Sequence, residues 1–230
     1  MRVDRLCCIA LLSVPALLAA QKPARDHAHH GADMSIGISS GTLGFGPEIS
    51  KLVTSHIGIR ASANFLSMSR SIDESDVNFS AKLKMKAVTG LVDLYPGSRG
   101  AFHLSGGIIT NPLEVTATGL PKGDGTFTIN DHEYTNADVG TLTGSAKWPG
   151  TSPYVGLGFG TPANSHAGIK LTMDIGAALG KPTIALSATG AANNAQLQAD
   201  IDAQIAKTQK DVNKYAKVYP VISAGLVFRF

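Results

Sequence analysis

The segment GIKLTMDIGAAL, residues 168–179, constrains the fold more than any other feature of the chain. Ile169, Leu171, Met173, Ile175, Ala177 and Leu179 occupy every second position, with Lys170, Thr172, Asp174 and Gly176 between them. On a helix these residues would scatter around all sides; a strand divides them into one apolar and one polar face. The alternation recurs. HIGIRASANF sets Ile57, Ile59, Ala61, Ala63 and Phe65 against Gly58, Arg60, Ser62 and Asn64. PYVGLGFG sets Val155, Leu157 and Phe159 against Tyr154 and glycines, and GTLGFGPEIS sets Leu43, Phe45 and Ile49 against Gly44, Gly46 and Glu48. AFHLSGGI presents Phe102, Leu104 and Ile108, then changes phase near Asn111 and Pro112, where a bulge is expected. In VNFSAKLKMKAVTGL (77–91) the odd positions read as the apolar face, and the even ones carry Lys82, Lys84 and Lys86.

Several of these faces exceed the ~5–6 residues of an ordinary soluble strand and match the ~9–11 that a tilted strand needs to cross a bilayer. The connections differ as well: VTSH (53–56), GSRG (97–100) and TPANSH (161–166) are tight, whereas 119–151 and 190–217 are long. Tight turns at one end and long loops at the other suit a membrane barrel whose short turns face the periplasm. Seven segments read as crossings. Closed bacterial barrels carry an even number, so an eighth is expected from MSIGISS (34–40) or from TIALSAT (183–189).

The segment YPVISAGLVFRF alternates in the same way, with Ile222, Ala224, Leu226, Phe228 and Phe230 opposing Ser223, Gly225, Val227 and Arg229. It resembles the assembly signal of bacterial outer-membrane β-barrels, carried here by Leu226, Phe228 and Phe230. Together with the strand pattern over 34–230, the chain is similar to the small-barrel group that includes outer-membrane proteins A and W. The resemblance implies an all-β, antiparallel up-and-down transmembrane β-barrel of eight strands. It also implies a monomer, outer-membrane lipid as surroundings, and insertion by the barrel-assembly machinery. One departure is composition: aromatics are 6% and Trp148 is the only tryptophan. A thick aromatic girdle cannot then be built at both interfaces.

The front of the chain fits export. In MRVDRLCCIALLSVPALLAA, Arg2 and Arg5 precede an apolar run from Leu6 to Ala20, with a cleavage point expected before Gln21. The run is shorter than the ~20 residues of a membrane-spanning helix. Residues 1–20 therefore read as a signal peptide, 21–33 as a flexible His-containing leader and 34–230 as the barrel domain. Both cysteines, Cys7 and Cys8, fall within the signal, so disulfides are not expected to hold the exported chain. A net charge of +3 and the lack of a phosphate-binding glycine motif argue against nucleic acid and nucleotides. No cofactor is expected.

With the apolar faces toward lipid, the interior would hold Arg60, Lys82, Lys84, Lys86, Lys170 and Arg229, opposed by Glu48, Glu114 and Asp174. Lysines two apart on a strand stand ~6.6 Å from each other and repel by about 2.5 kcal/mol at an effective dielectric of about 20. Acids from other strands, water or anions must come between them. Eight-stranded barrels are narrow enough for side chains to fill. The expectation is thus a charged plug, with a structural or surface-display role carried by the long loops. A narrow channel for small or apolar solutes is the alternative. Inverting the faces would give a soluble, lipocalin-like ligand-binding barrel; the long apolar faces and the loop asymmetry argue against it.

Three further motifs remain. His27, His29 and His30 in RDHAHH could chelate a metal, but nothing nearby fixes their geometry, and a solvated tail is the expectation. GDGTFTINDHEYT (123–135) reads as a hairpin turning at Asn130-Asp131, with Phe127, Ile129 and Tyr134 forming a small apolar side. NNAQLQADIDAQIAKTQKDVNKYAK (193–217) reads as a helix with Leu197, Ile201, Ile205, Thr208, Val212 and Tyr215 on one stripe. No serine sits in a nucleophile motif. His56, His103, His132 and His166 are not placed to meet one, so no enzyme activity is expected.

Overall fold

The computed structural model of the chain describes residues 33–73, 77–97, 101–110, 112–121, 126–160 and 166–230. The expected signal peptide and the leader histidines His27, His29 and His30 lie outside these residues. Strands β1 (Met34–Gly41), β2 (Gly44–Leu52), β3 (Ile57–Asp73), β4 (Val77–Leu94) and β5 (Phe102–Thr110) follow one another as antiparallel neighbours. The chain then leaves this wall for β6 (Glu114–Pro121), β7 (Thr126–Ile129), β8 (His132–Thr135), the short helix α1 (Asn136–Val139) and β9 (Leu142–Lys147). It returns as β10 (Thr151–Phe159) and β11 (Gly168–Leu179). A second excursion runs through β12 (Thr183–Ala188), a 3-10 turn (Thr189–Asn193) and α2 (Ala195–Tyr215) before β13 (Val218–Arg229).

The strands β1–β5, β10, β11 and β13 pair in chain order, and β13 pairs back onto β1, closing an eight-stranded antiparallel ring. MSIGISS is therefore the eighth crossing: it forms β1, sealing the barrel with Ile36 opposite Phe228 and Ile38 opposite Leu226. TIALSAT is β12 and lies outside the ring, paired with β9 alone. The bulge expected near Asn111 falls on a residue outside those described; β5 stops at Thr110.

Alternation decides which way each side chain faces. Ile38, Phe45, Val155, Ile169, Leu171 and Phe228 are all at least half exposed, and they belong to a belt of large apolar residues around the outside. A water-facing protein would not expose so continuous an apolar band. On β11 the belt runs from Ile169 to Leu179, ~33 Å along the strand and ~25 Å across a bilayer at a tilt of about 40°. Two aromatic pairs stand at the short-turn rim, while Phe45 and Phe65 are exposed opposite one another nearer the other end. Phe102 and Phe159 stand 5.4 Å apart between ring centroids, and Phe228 and Phe230 6.3 Å. Both rims are thinly furnished, as the composition requires.

Strand β4 has 18 residues, ~60 Å of extended chain and far more than a bilayer needs. Its upper half leaves the barrel and pairs with β6, β6 with β9, and β9 with β12. One face of this sheet extension is apolar, with Val115, Ala117, Ala146, Ile184 and Leu186, and α2 packs over part of it. Asn194 caps α2 by accepting from the Leu197 N–H at 3.1 Å, and Lys214 in the last turn suits the helix dipole. Leu197 and Ile201 join Ile129, Tyr134, Val139 and Ala191 in a separate small core outside the ring. Tyr215, placed on that stripe by its spacing, is instead 76% exposed, with Lys214 Nζ 5.1 Å from its ring centroid. The hairpin β7–β8 turns at Asn130 (φ 50°) and Asp131 (φ 65°), left-handed conformations that favour these residue types in a two-residue turn.

Candidate functional site

The inner faces of the ring strands converge on Arg60. Arg60 comes from β3, Asp93 from β4, His103 and Ser105 from β5, and Asp174 from β11, and all are buried. The guanidinium donates from Nη1 to Asp174 Oδ2 at 2.6 Å and from Nη2 to Asp174 Oδ1 at 2.8 Å, a bidentate pair across the interior. Nη2 also reaches Asp93 Oδ1 at 3.1 Å and Ser105 Oγ at 3.2 Å. Nε lies 3.1 Å from Asp93 Oδ2, close enough for an ion pair but without an aligned N–H. Ser105 Oγ in turn donates to Asp93 Oδ1 at 2.6 Å.

His103 Nε2 lies 3.0 Å from Asp174 Oδ1. It is also 3.4 Å from Arg60 Nη2, which can only donate; a proton on Nε2 therefore serves the aspartate. His103 Nδ1 is buried without a hydrogen bond, and the imidazole stacks at a tilt on Tyr95, 5.3 Å between centroids. The wall opposite this imidazole has to be glycine: a Cβ at position 158 would stand 2.6 Å from His103 Nε2 and also collide with Asp174 Oδ1. Glu48 adds a third buried carboxylate beside the group.

The network belongs to a layered interior. Toward the long-loop end, Ser39 Oγ donates to Asn64 Oδ1 (3.2 Å), Asn64 Nδ2 donates to Ser62 Oγ (3.0 Å), and Ser62 and Thr89 hydroxyls lie 2.8 Å apart. An apolar group of Leu43, Ala87, Ile109, Tyr154, Ala178 and Val221 also fills the ring. At the short-turn end, Arg229 is buried beside Asp33, Ser35, Asp93 and Tyr95.

The structure sorts the residues singled out in the sequence. Glu48, Arg60, Asp174 and Arg229 face inward and are buried. Lys170, nearer the short turns, lies half-buried on the inner face of β11. Leu226 and Phe228 are on the outer, apolar face of β13, and Phe230, which follows it, is exposed as well. Lys82, Lys84 and Lys86 are not in the lumen. On β4 the odd face points inward, with Ala87, Thr89 and Asp93 buried, and the lysines are exposed on the outside. The expected faces are reversed on this strand because its upper half lies beyond the lipid belt, where water meets the outer face and lysines are at home. Glu114 is likewise outside the lumen: it begins β6, and its Oε1 is 3.0 Å from Lys147 Nζ. Leu43, expected among the lipid-facing residues, is 5% exposed within the ring. Asp93 and Ser105 were missed; the correct phase of β4 would have placed Asp93 beside Arg60.

A second polar centre ties the excursions together. Asp200 of α2 is buried and accepts from Tyr134 Oη, from Asn130 Nδ2 at 3.0 Å and from Gln196 Nε2 at 3.3 Å; His132 Nδ1 lies 2.9 Å from it. Those bonds, Tyr134's first, hold the Asp200 carboxyl well below the ordinary carboxylate range, and the same bond pushes the Tyr134 phenol up to about 12. Asp138 is also lowered, chiefly by the Thr135 hydroxyl in the capping box of α1.

As chemistry, the lumen centre is built on charge pairing around one guanidinium. Ser105 donates to the Asp93 carboxylate and not to His103, so the serine and the histidine of this centre are not paired with each other. Among the described residues no group of three or more His, Cys, Asp or Glu could hold a metal ion. No described helix is long and apolar enough to cross a membrane.

No family model matches the sequence, and no curated protein matches it either. The fold does have solved counterparts. CarO2 of Acinetobacter baumannii superposes with a TM-score of 0.57 at 18% identity, covering 88% of this chain and 100% of that one. CarO of the same organism gives 0.53 at 17% identity, covering 86% and 98%. By fold, the chain is a small bacterial outer-membrane β-barrel. The exposed apolar belt and the closed ring agree with that class, and together they put the barrel in the outer membrane. The sheet extension, α2 and the β7–β8 hairpin stand at the end of the ring opposite the tight turns, and in outer-membrane barrels as a class the tight turns are the periplasmic ones.

Proposed function

We propose that this barrel is a closed outer-membrane scaffold whose role is display and recognition by its extracellular platform. The observation that carries the reading is the Arg60 network, in which one guanidinium joins residues of β4, β5 and β11 across the lumen. The cavity left above it has about 30 Å³ and is lined by Glu48, Arg60, Asn64, Leu43 and Tyr154 among others. That holds a water or two rather than a file of solute. The platform, by contrast, has its own core, a capped helix and a clamped hairpin, which is more structure than a closing loop requires. It presents a rigid surface for recognition.

Conductance in planar bilayers tests the closed lumen. The purified chain should give no steady channel, and Arg60→Ser should open one, because the residue removed spans the bore. A stable conductance from the unaltered chain would favour the narrow channel instead.

A further inference from the structure

We propose that the outer face of β3, β4, β6 and β9, directly above the apolar belt, binds phosphate-bearing headgroups of the lipid leaflet around the barrel. Lys82, Lys84 and Lys86 are exposed there in a single row, ~6.6 Å between successive residues. The register fixes their height. Lys86 stands opposite Phe65, which is 49% exposed and the last large apolar residue on that face of β3. Val88, 51% exposed, lies one step lower on β4. The row thus starts where the lipid-facing surface stops, at the level of headgroups.

The surroundings suit an anion. Lys84 and Lys82 pair across to Ser67 and Ser69 on one side and to Glu114 and Thr116 on the other. Lys147 stands opposite Glu114 on β9, and its ion pair at 3.0 Å takes up that carboxylate. Among the residues that the register sets opposite Lys82, Lys84 and Lys86, Glu114 is the only acid, and Lys147 already pairs with it, so the three lysines outnumber the carboxylates beside them. Between Lys84, Lys86, Leu113, Glu114, Lys147 and Trp148 lies a recess of about 340 Å³. Three ammonium groups held in line repel one another, and an anion set among them relieves that repulsion. Continuity with the belt selects a lipid over a protein partner: an acyl chain lies along Val88 and Phe65 while its headgroup reaches the lysines. The proposal rests on membrane residence and is independent of whether the lumen is closed.

The test uses the full chain in phosphatidylcholine nanodiscs doped with lipid A or with its dephosphorylated form, and native mass spectrometry to count retained lipid. The unaltered protein should prefer the phosphorylated form at least tenfold. Each Lys→Gln change at 82, 84 and 86 should reduce the preference by about fivefold, and the triple Lys→Arg variant should keep it. Equal retention of the two lipids would overturn the proposal, as would a triple Gln variant that behaves like the original. Displacement by millimolar inorganic phosphate would also overturn it, since the site would then take a free anion. If the triple Gln variant fails to fold, salt titration of the unaltered chain decides: the preference must fall as ionic strength rises, and a salt-independent preference contradicts the assignment.

Discussion

Arg60 is buried with three carboxylates around it, and its removal leaves them facing one another. Arg60→Met should therefore destabilise the barrel by about 3–5 kcal/mol, read from the denaturant midpoint in lipid. A variant that also carries Asp174→Asn and Asp93→Asn should recover part of that loss. No change in midpoint for Arg60→Met would contradict the role of this guanidinium in holding the wall together. Glu48, Arg60 and Asp174 were legible in the sequence because each is a polar residue between apolar neighbours on a strand of constant phase. Asp93 was not, because the lysines of the same strand occupy its outer face above the belt and mimic a polar inner face in the sequence. His103 was legible as an inward residue; its contact with Asp174 depends on a glycine at 158 in a third strand, which spacing along one strand cannot reveal.

At the scale of elements, β4 shows why alternation alone is incomplete. Period two tells which residues share a face; which face meets lipid depends on where the bilayer ends along the strand. Val88, Val92 and Leu94 mark the lipid side of its lower half, whereas Leu83 and Met85 continue the inner face into the platform. The helix and hairpin were legible from local signals, an amphipathic stripe and an Asn-Asp turn. Their clamp at Asp200 was not, since a single aspartate on a charged helix gives no sign of burial. Asp200→Asn should loosen β7–β8 from α2, seen as faster proteolysis and hydrogen exchange in 126–135 with the barrel unaffected. The pH dependence follows from the shifts. Asp200 is more acidic folded than unfolded, so its contribution is full above about pH 4 and is lost as pH falls through its lower folded value. The Tyr134 pKa is raised to about 12, so its contribution is full below about pH 10 and is lost as pH rises through the folded value. Exchange in the hairpin should be held back between these limits and should loosen beyond both. Loosening near neutral pH would contradict the clamp.

For the whole molecule, closure is the property from which the rest follows. With β13 paired to β1 every strand of the wall has two neighbours, and no open edge is left facing hydrocarbon. Most of this was legible in the sequence: the lengths of the apolar faces, the contrast between short and long connections, and an eighth strand narrowed to two segments. The choice between those two was not legible, because MSIGISS and TIALSAT share the same local pattern and differ only in their partners. The direct measurement is the mobility of the protein from the outer-membrane fraction in a detergent gel, with and without boiling. A closed hydrogen-bonded barrel resists detergent until heated, so the unboiled protein should run faster than the boiled. Equal mobility, with the protein found in the soluble periplasm, would contradict the membrane barrel and turn the apolar belt into the lining of a ligand pocket.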